Sequence, residues 1–285
     1  LKIRNEDNDA WISLLTLDQV NDNIEAIQAT LVTTNTISEE TSGNGVIVDG
    51  VTLKDSGVGT TSSPVALYSH SLNGGQFGGR RNIIINGAMQ VAQRGTSFTS
   101  IGNNIYSLDR WLYYLAGSSS VSDASQSTDT PNNNFKNSLK LDVQTADTSV
   151  ATGDLTCFLQ KIEGQNVYQL GWGTSDAETV TLSFWVKSTK TGIHSGAFKN
   201  SAQDRSYVFE YTVNVSNTWE YKTITVAGDT SGTWLTTNGV GVQVTFALMA
   251  GTDFTKTAGS WGAGNNYGSD NQVNVMDSAS NEWYI

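Results

Sequence analysis

The C-terminal part of this chain alternates apolar and polar residues in segment after segment, and that period of two restricts the fold more than any other feature. Across Thr179–Lys187, the residues Val180, Leu182, Phe184 and Val186 share one face. Tyr207–Val215, Trp219–Val226, Val240–Leu248 and Leu139–Val143 alternate in the same way. Successive side chains of a strand point to opposite faces, so each segment reads as a strand with one face in a core. Gly, Ser, Asn and Asp separate them, the pattern of an antiparallel sandwich or barrel. Residues 80–285 are therefore expected to form a β-sandwich head of the jelly-roll kind, with polar loops over Gly117–Asn134 and Gly251–Asp270. This part holds seven of the eight tryptophans, all but Trp11.

The N-terminal part follows other rules. Leu17, Val20, Ile24, Ile27 and Leu31 recur at alternating spacings of three and four, with polar residues between them. That is a heptad seam, and Thr16 followed by Gln19 fits the capping box that starts a helix. A helix of about fifteen residues is marginal alone in water, so its apolar stripe must be buried. Isoleucine at both seam positions favours three or four strands over two. Residues 1–34 are expected to be an anchoring end and a short trimeric coiled coil; the other solution is an amphipathic helix lying on a globular domain. In residues 35–79, Gly45–Asp55 carries β-branched residues around Asp49–Gly50, a strong hairpin signal. A lone hairpin buries too little to be stable, so an intertwined three-copy β shaft is expected, closing in the glycine-rich joint Asn73–Gly79.

Composition narrows the function classes. The net charge of −11 opposes nucleic-acid phosphates and anionic membranes, so neither is an expected partner. No segment has the run of about twenty apolar residues that a membrane helix needs, and the first residues do not have the pattern of a signal peptide. The single cysteine, Cys157, excludes an intrachain disulfide and cysteine-based zinc sites. It lies in an apolar run, Leu155–Leu159, and reads as a small buried hydrophobe.

One string carries a resemblance. Arg81–Thr96, reading RNIIINGAMQVAQRGT, followed by Tyr106–Trp111, reading YSLDRW, resembles the opening of a domain common in phage tail-fibre and minor tail proteins. Leu182–Ser188, Asn217–Trp219 and Asp229–Trp234 resemble its later markers. Leu1–Asn5 with Ala10–Ile12 is similar to the end of a phage-fibre anchoring repeat, and Ile37–Thr41 with Gly45–Val51 is similar to fibre shaft segments. The resemblance implies a virion location, a sandwich similar to carbohydrate-binding modules, and further chain at both ends. It implies a homotrimer that meets other virion proteins at its N-terminal end and a host-surface glycan at its head, or else a purely structural fibre or adaptor.

Candidate chemistry is sparse. Asp109, Asp142, Glu163, Asp204 and Glu210 are carboxylates of the kind glycosidases pair, but no spacing marks two as partners. No catalytic residue, metal ligand or cofactor is assigned, and the chain is expected not to be an enzyme. Asp109, Arg110 and Trp111 read as an ion-paired, core-forming trio. Aromatic rings stack on apolar sugar faces. Trp172 and Trp261, set among glycine and serine, and Tyr267 are the ligand-binding candidates; Trp185, Trp219 and Trp234 are expected to be structural.

Overall fold

The computed structural model describes residues 82–285, and the backbone of four short strands before them. The chain divides into two compact units, Leu1–Phe77 and Gly78–Ile285. In the first unit, β1 (Lys2–Arg4) pairs antiparallel with β2 (Trp11–Ser13). Likewise β3 (Val46–Val48) pairs with β4 (Val51–Leu53), Val48 opposite Val51, as the Asp49–Gly50 signal predicts. The heptad Leu17–Leu31 and the rest of the expected shaft lie outside the described residues.

The second unit is mainly β, built of two large antiparallel sheets and one short parallel pair of strands. Its strands are β5 (Ser97–Phe98), β6 (Ile105–Tyr106), β7 (Leu112–Ala116), β8 (Val121–Ser127), β9 (Ser138–Thr145), β10 (Leu155–Glu163), β11 (Val180–Ser188) and β12 (Gly192–Lys199). They continue with β13 (Arg205–Val213), β14 (Glu220–Val226), β15 (Val240–Ala250), β16 (Thr255–Lys256), β17 (Trp261–Ala263), β18 (Gly268–Ser269) and β19 (Glu282–Tyr284). One sheet has the order β17-β13-β12-β15-β10-β7-β6, the other β14-β11-β19-β9-β8-β5. Their inner faces meet in one core. Phe184 of β11 lies edge-on to Tyr211 of β13 and Phe246 of β15, with ring centroids 5.0 and 5.1 Å away. Trp283 of β19 stacks on Phe158 of β10 at 6.1 Å.

All five alternating segments are strands. Two expectations need correction. Gly117–Asn134 is not one loop, because Val121–Ser127 forms β8, paired along its length with β9. Its inward residues Ser122 and Ala124 are small and fully buried, so it packs without an apolar stripe. Gly251–Asp270 is interrupted by β16, β17 and β18 and folds down over the outer face of the larger sheet, where Tyr267 joins Leu112, Leu155, Cys157 and Leu159. Cys157 is buried there, and burial pushes its thiol up to about 12.

The string that carried the resemblance has physical work at each marker. Asn86 and Met89 adopt positive φ, 54° each, and the Asn86 amide donates to the carbonyls of Val91 and Asp109 at 2.9 Å. Trp111 is buried and its indole N–H donates to the Asn86 carbonyl at 3.2 Å. The Gln160 side chain, on β10, clamps Ile85 by accepting from its N–H and donating to its carbonyl, each at 2.7 Å. The segment is thus the lid of the core at one end of the sandwich.

Candidate functional site

Alternation along β11 sends Leu182, Phe184 and Val186 into the core and Trp185 and Lys187 to the outer side of the smaller sheet. On β14, Tyr221 stands directly opposite Trp185, and the two rings lie 5.3 Å apart. Tyr221 is 55% exposed, the most open aromatic on this sheet, and Trp185 is half-buried. Trp219, just before β14, stands edge-on to Tyr284 at 6.0 Å and donates its indole N–H to Asp129 at 2.9 Å. A cleft of about 370 Å³ opens beside these rings; Trp185, Trp219, Tyr221, Pro131, Phe135 and Asn137 form its outer wall.

Charges fix the rings in place. The Lys187 ammonium sits 4.0 Å from the Tyr284 ring centroid and 5.7 Å from that of Trp219, a cation–π arrangement, and is paired with Asp129. That ammonium holds the Asp129 carboxyl below its usual range. Lys140 lies 2.6 Å from Glu282 and 3.1 Å from Asp142. Burial lowers its affinity for a proton, but the two carboxylates outweigh this and raise it overall. Both ammoniums are therefore neutralised within the face. A ligand with apolar planes and hydroxyl groups would find rings and side-chain amides here, with the exposed Lys136 next in sequence to the cleft-wall residues Phe135 and Asn137.

The three sequence candidates are placed elsewhere, two of them buried. Trp172 is 7% exposed. Gly171 and Gly173, at φ 60° and 88°, turn the backbone so that the indole points inward rather than presenting it on a loop. It packs edge-on against Trp234 at 4.8 Å, Trp261 at 5.3 Å and Phe198 at 6.1 Å, and its N–H donates to the Glu178 carbonyl at 2.8 Å. Tyr267 is 4% exposed, stacked on Tyr114 at 6.2 Å with its other neighbours Phe254 and Lys199. Trp261 is half-buried, with its N–H donating to the Ala227 carbonyl at 2.7 Å. Trp172 and Trp261 thus meet in one aromatic cluster, and Tyr267 belongs to another. Trp185 and Trp219, expected to be structural, lie instead on the ring-bearing outer face. The available signal was the alternation itself, which puts Trp185 opposite in sense to its apolar neighbours.

The candidate carboxylates are each engaged separately. Glu163 takes two 2.8 Å hydrogen bonds from the Arg110 guanidinium, which hold its carboxyl down to about 2. Asp109 accepts from the Gln93 N–H at 2.6 Å, Asp142 from Lys140 at 3.1 Å, Asp204 from the Asn200 amide at 2.6 Å and Glu210 from the Asn271 amide at 3.1 Å. Among the described residues no group of three or more His, Cys, Asp or Glu side chains is placed to hold a metal ion.

No family model and no curated protein matches this chain. Solved structures resemble it distantly. The enzymatically active domain of tailspike protein 4 of bacteriophage CBA120 is 18% identical with a TM-score of 0.33, over 60% of this chain and 21% of that one. A CBM4 structure is 20% identical at 0.36, over 70% and 94%. An arabinose-bound GH51 α-L-arabinofuranosidase is 11% identical at 0.32, over 68% and 25%. The chain spans about a fifth of the tailspike domain and a quarter of the arabinofuranosidase, and likeness this distant carries no inference about ligand or activity.

Proposed function

We propose that this chain is a non-enzymatic virion fibre protein whose head binds a glycan on a host surface. The observation that carries the reading is the Trp185–Tyr221 pair, an exposed aromatic platform on a rigid sheet, beside a cleft, with the Lys140 and Lys187 ammoniums already paired. Such rings offer flat apolar area to the C–H faces of sugars, and the amide of Asn137 on the cleft wall offers hydrogen bonds to hydroxyls. The trimer rests on the heptad Leu17–Leu31. Three heads on one shaft turn weak single contacts into attachment, since avidity rises by about 10²–10⁴ without new contacts. The N-terminal end would meet other virion proteins. The second reading, a structural fibre or adaptor without a receptor, keeps the same fold and trimer.

The test is binding by Trp185→Ala and Tyr221→Ala variants, on a glycan array and on host cells, with thermal melts run beside them. Losing one stacked ring, worth about 0.5–1.5 kcal/mol, weakens a single head by roughly two- to tenfold, and attachment by a trimer more. Variants that melt normally and attach like the parent chain would refute this face as the glycan site. Binding of no glycan at all by the parent would favour the structural reading.

A further inference from the structure

Four asparagines of the chain are followed by glycine, and two of these steps, Asn86–Gly87 and Asn238–Gly239, lie among the described residues. At such a step the glycine nitrogen can close a five-membered ring on the Cγ of the asparagine, with no Cβ to crowd the approach. The rate then depends on whether the side-chain amide and the nitrogen are free to meet. At Asn86 they are not. Its amide donates to the carbonyls of Val91 and Asp109, each at 2.9 Å, and its side-chain oxygen accepts from the Val91 N–H at 3.0 Å. Asn238 is the opposite case. It is exposed, and among the described residues its side chain takes part in no hydrogen bond. The Gly239 N–H lies outside the ladder of β15 and donates to the Thr237 hydroxyl at 3.3 Å, longer than the usual range.

We propose that Asn238 is a site of spontaneous deamidation, and that the isoaspartate formed there unlatches the neighbouring turn Gly164–Asn166. Hydroxide takes the Gly239 N–H proton, and the nitrogen attacks Cγ of Asn238. The N–Cγ bond forms, the Cγ–Nδ2 bond breaks, and the amide nitrogen leaves as ammonia with a proton from water. Water then opens the cyclic imide at one of its two carbonyls, giving aspartate or isoaspartate. Isoaspartate carries the main chain through its Cβ, one atom longer, and leaves the old carbonyl as a carboxylate. That extra atom enters between two carbonyls that act as latches. The Thr237 carbonyl accepts from the Gln165 N–H and the Gly239 carbonyl from the Gly164 N–H, each at 2.8 Å. The backbones are too close to absorb it. A Cβ on Gly164 would lie 2.1 Å from the Leu235 carbonyl oxygen, and one on Gly241 would lie 2.6 Å from the Gly164 Cα. The longer chain keeps one latch and loses the other. The latched turn leads through Tyr168–Leu170 to Trp172, so its release reaches the aromatic cluster. The inference does not depend on glycan binding.

The test ages the full chain at pH 8.5 and 37 °C and follows each Asn–Gly peptide by mass spectrometry, which reads the exchange of amide for acid and separates isoaspartate from aspartate by fragmentation. Conversion at Asn238 should run at least about tenfold faster than at Asn86, whose three hydrogen bonds must first be given up. Gly239→Ala, whose methyl meets the flexible end of Leu235 at 2.9 Å, should slow it. Hydrogen exchange then reads the turn. In the isoaspartyl fraction the Gly164 or the Gln165 amide should lose protection. The Asn238→Asp variant, with the new charge on a normal backbone, should keep both protected. Conversion at Asn86 as fast as at Asn238 would overturn the proposal. So would an Asn238 that stays intact after the free peptide of residues 234–241 has converted in full. Unchanged protection of both turn amides in the isoaspartyl chain would overturn the unlatching.

Discussion

Replacing Lys199 with methionine should stabilise the head at neutral pH. Lys199 is fully buried at the end of β12, with its ammonium 3.2 Å from the Tyr267 ring centroid and a hydrogen bond to the Asn265 side-chain oxygen. Burial depresses its proton affinity to about 7, from 10.5 when exposed. At about 1.4 kcal/mol per unit, that fall is a penalty of roughly 5 kcal/mol wherever both states are charged. Methionine also gives up the amine's hydrogen bond to Asn265, which offsets about 2 kcal/mol and leaves a net gain of about 3 kcal/mol below pH 7. Between about 7 and 10.5 the unfolded chain holds this proton and the folded chain does not, so the penalty shrinks as pH rises. Methionine fills similar volume without the charge. Urea unfolding at pH 6.5, 7.5 and 8.5 should therefore show Lys199→Met more stable by about 2–3 kcal/mol at pH 6.5, with the gain narrowing toward pH 8.5. Taking the difference between the two proteins cancels the buried tyrosines and Cys157, which titrate at higher pH in both. A gain independent of pH, or a variant less stable at pH 6.5, would refute the account.

Three further outcomes follow from the same physics. Burial lowers the proton affinity of the His194 imidazole, which stacks on Tyr211 at 5.5 Å, so stability should fall as pH drops below about 6.5 while the unfolded chain takes up the proton; His194→Gln should flatten that limb of a pH–stability curve. Arg110→Gly, which suits the backbone φ of 75° there, removes the bidentate partner of Glu163 and should cost about 1–3 kcal/mol at pH 7 in denaturant unfolding; because the Glu163 carboxyl is held near 2, the loss should vanish as pH falls through 4.5 toward 2. Ile24→Asp with Ile27→Asp would place unpaired charges in the seam, and sedimentation should report a trimer for the parent chain and a monomer for the double variant.

The sequence disclosed strands wherever one face was apolar and the other polar. β11, β13, β14, β15 and β9 announce themselves in this way because each has a core side and a second side of different character. β10 does not, since the core lies under one face and the Tyr267 layer over the other; Leu155–Gln160 is buried throughout and loses its alternation. β8 hides for the opposite reason, with serine and alanine inside. The aromatic face was obscured by local context. Glycines around Trp172 suggested an exposed loop, yet their left-handed backbone is what folds the indole inward. Trp185 sat in a regular strand and so looked structural, although its parity already placed it outside. The pairing of Trp185 with Tyr221 is a matter of register between strands 36 positions apart, which no local pattern carries.

The Gln160 clamp on Ile85 also has a mechanical meaning. Tension arriving along the chain at Asn82 reaches the sandwich first through two parallel amide bonds to β10, a strand laddered on both sides by β7 and β15. The pull is thereby spread over the middle of the larger sheet rather than peeling a strand from its margin. Gln160→Ala would remove both bonds at once and leave the Asn82–Met89 segment held through Asn86, Trp111 and Gln126.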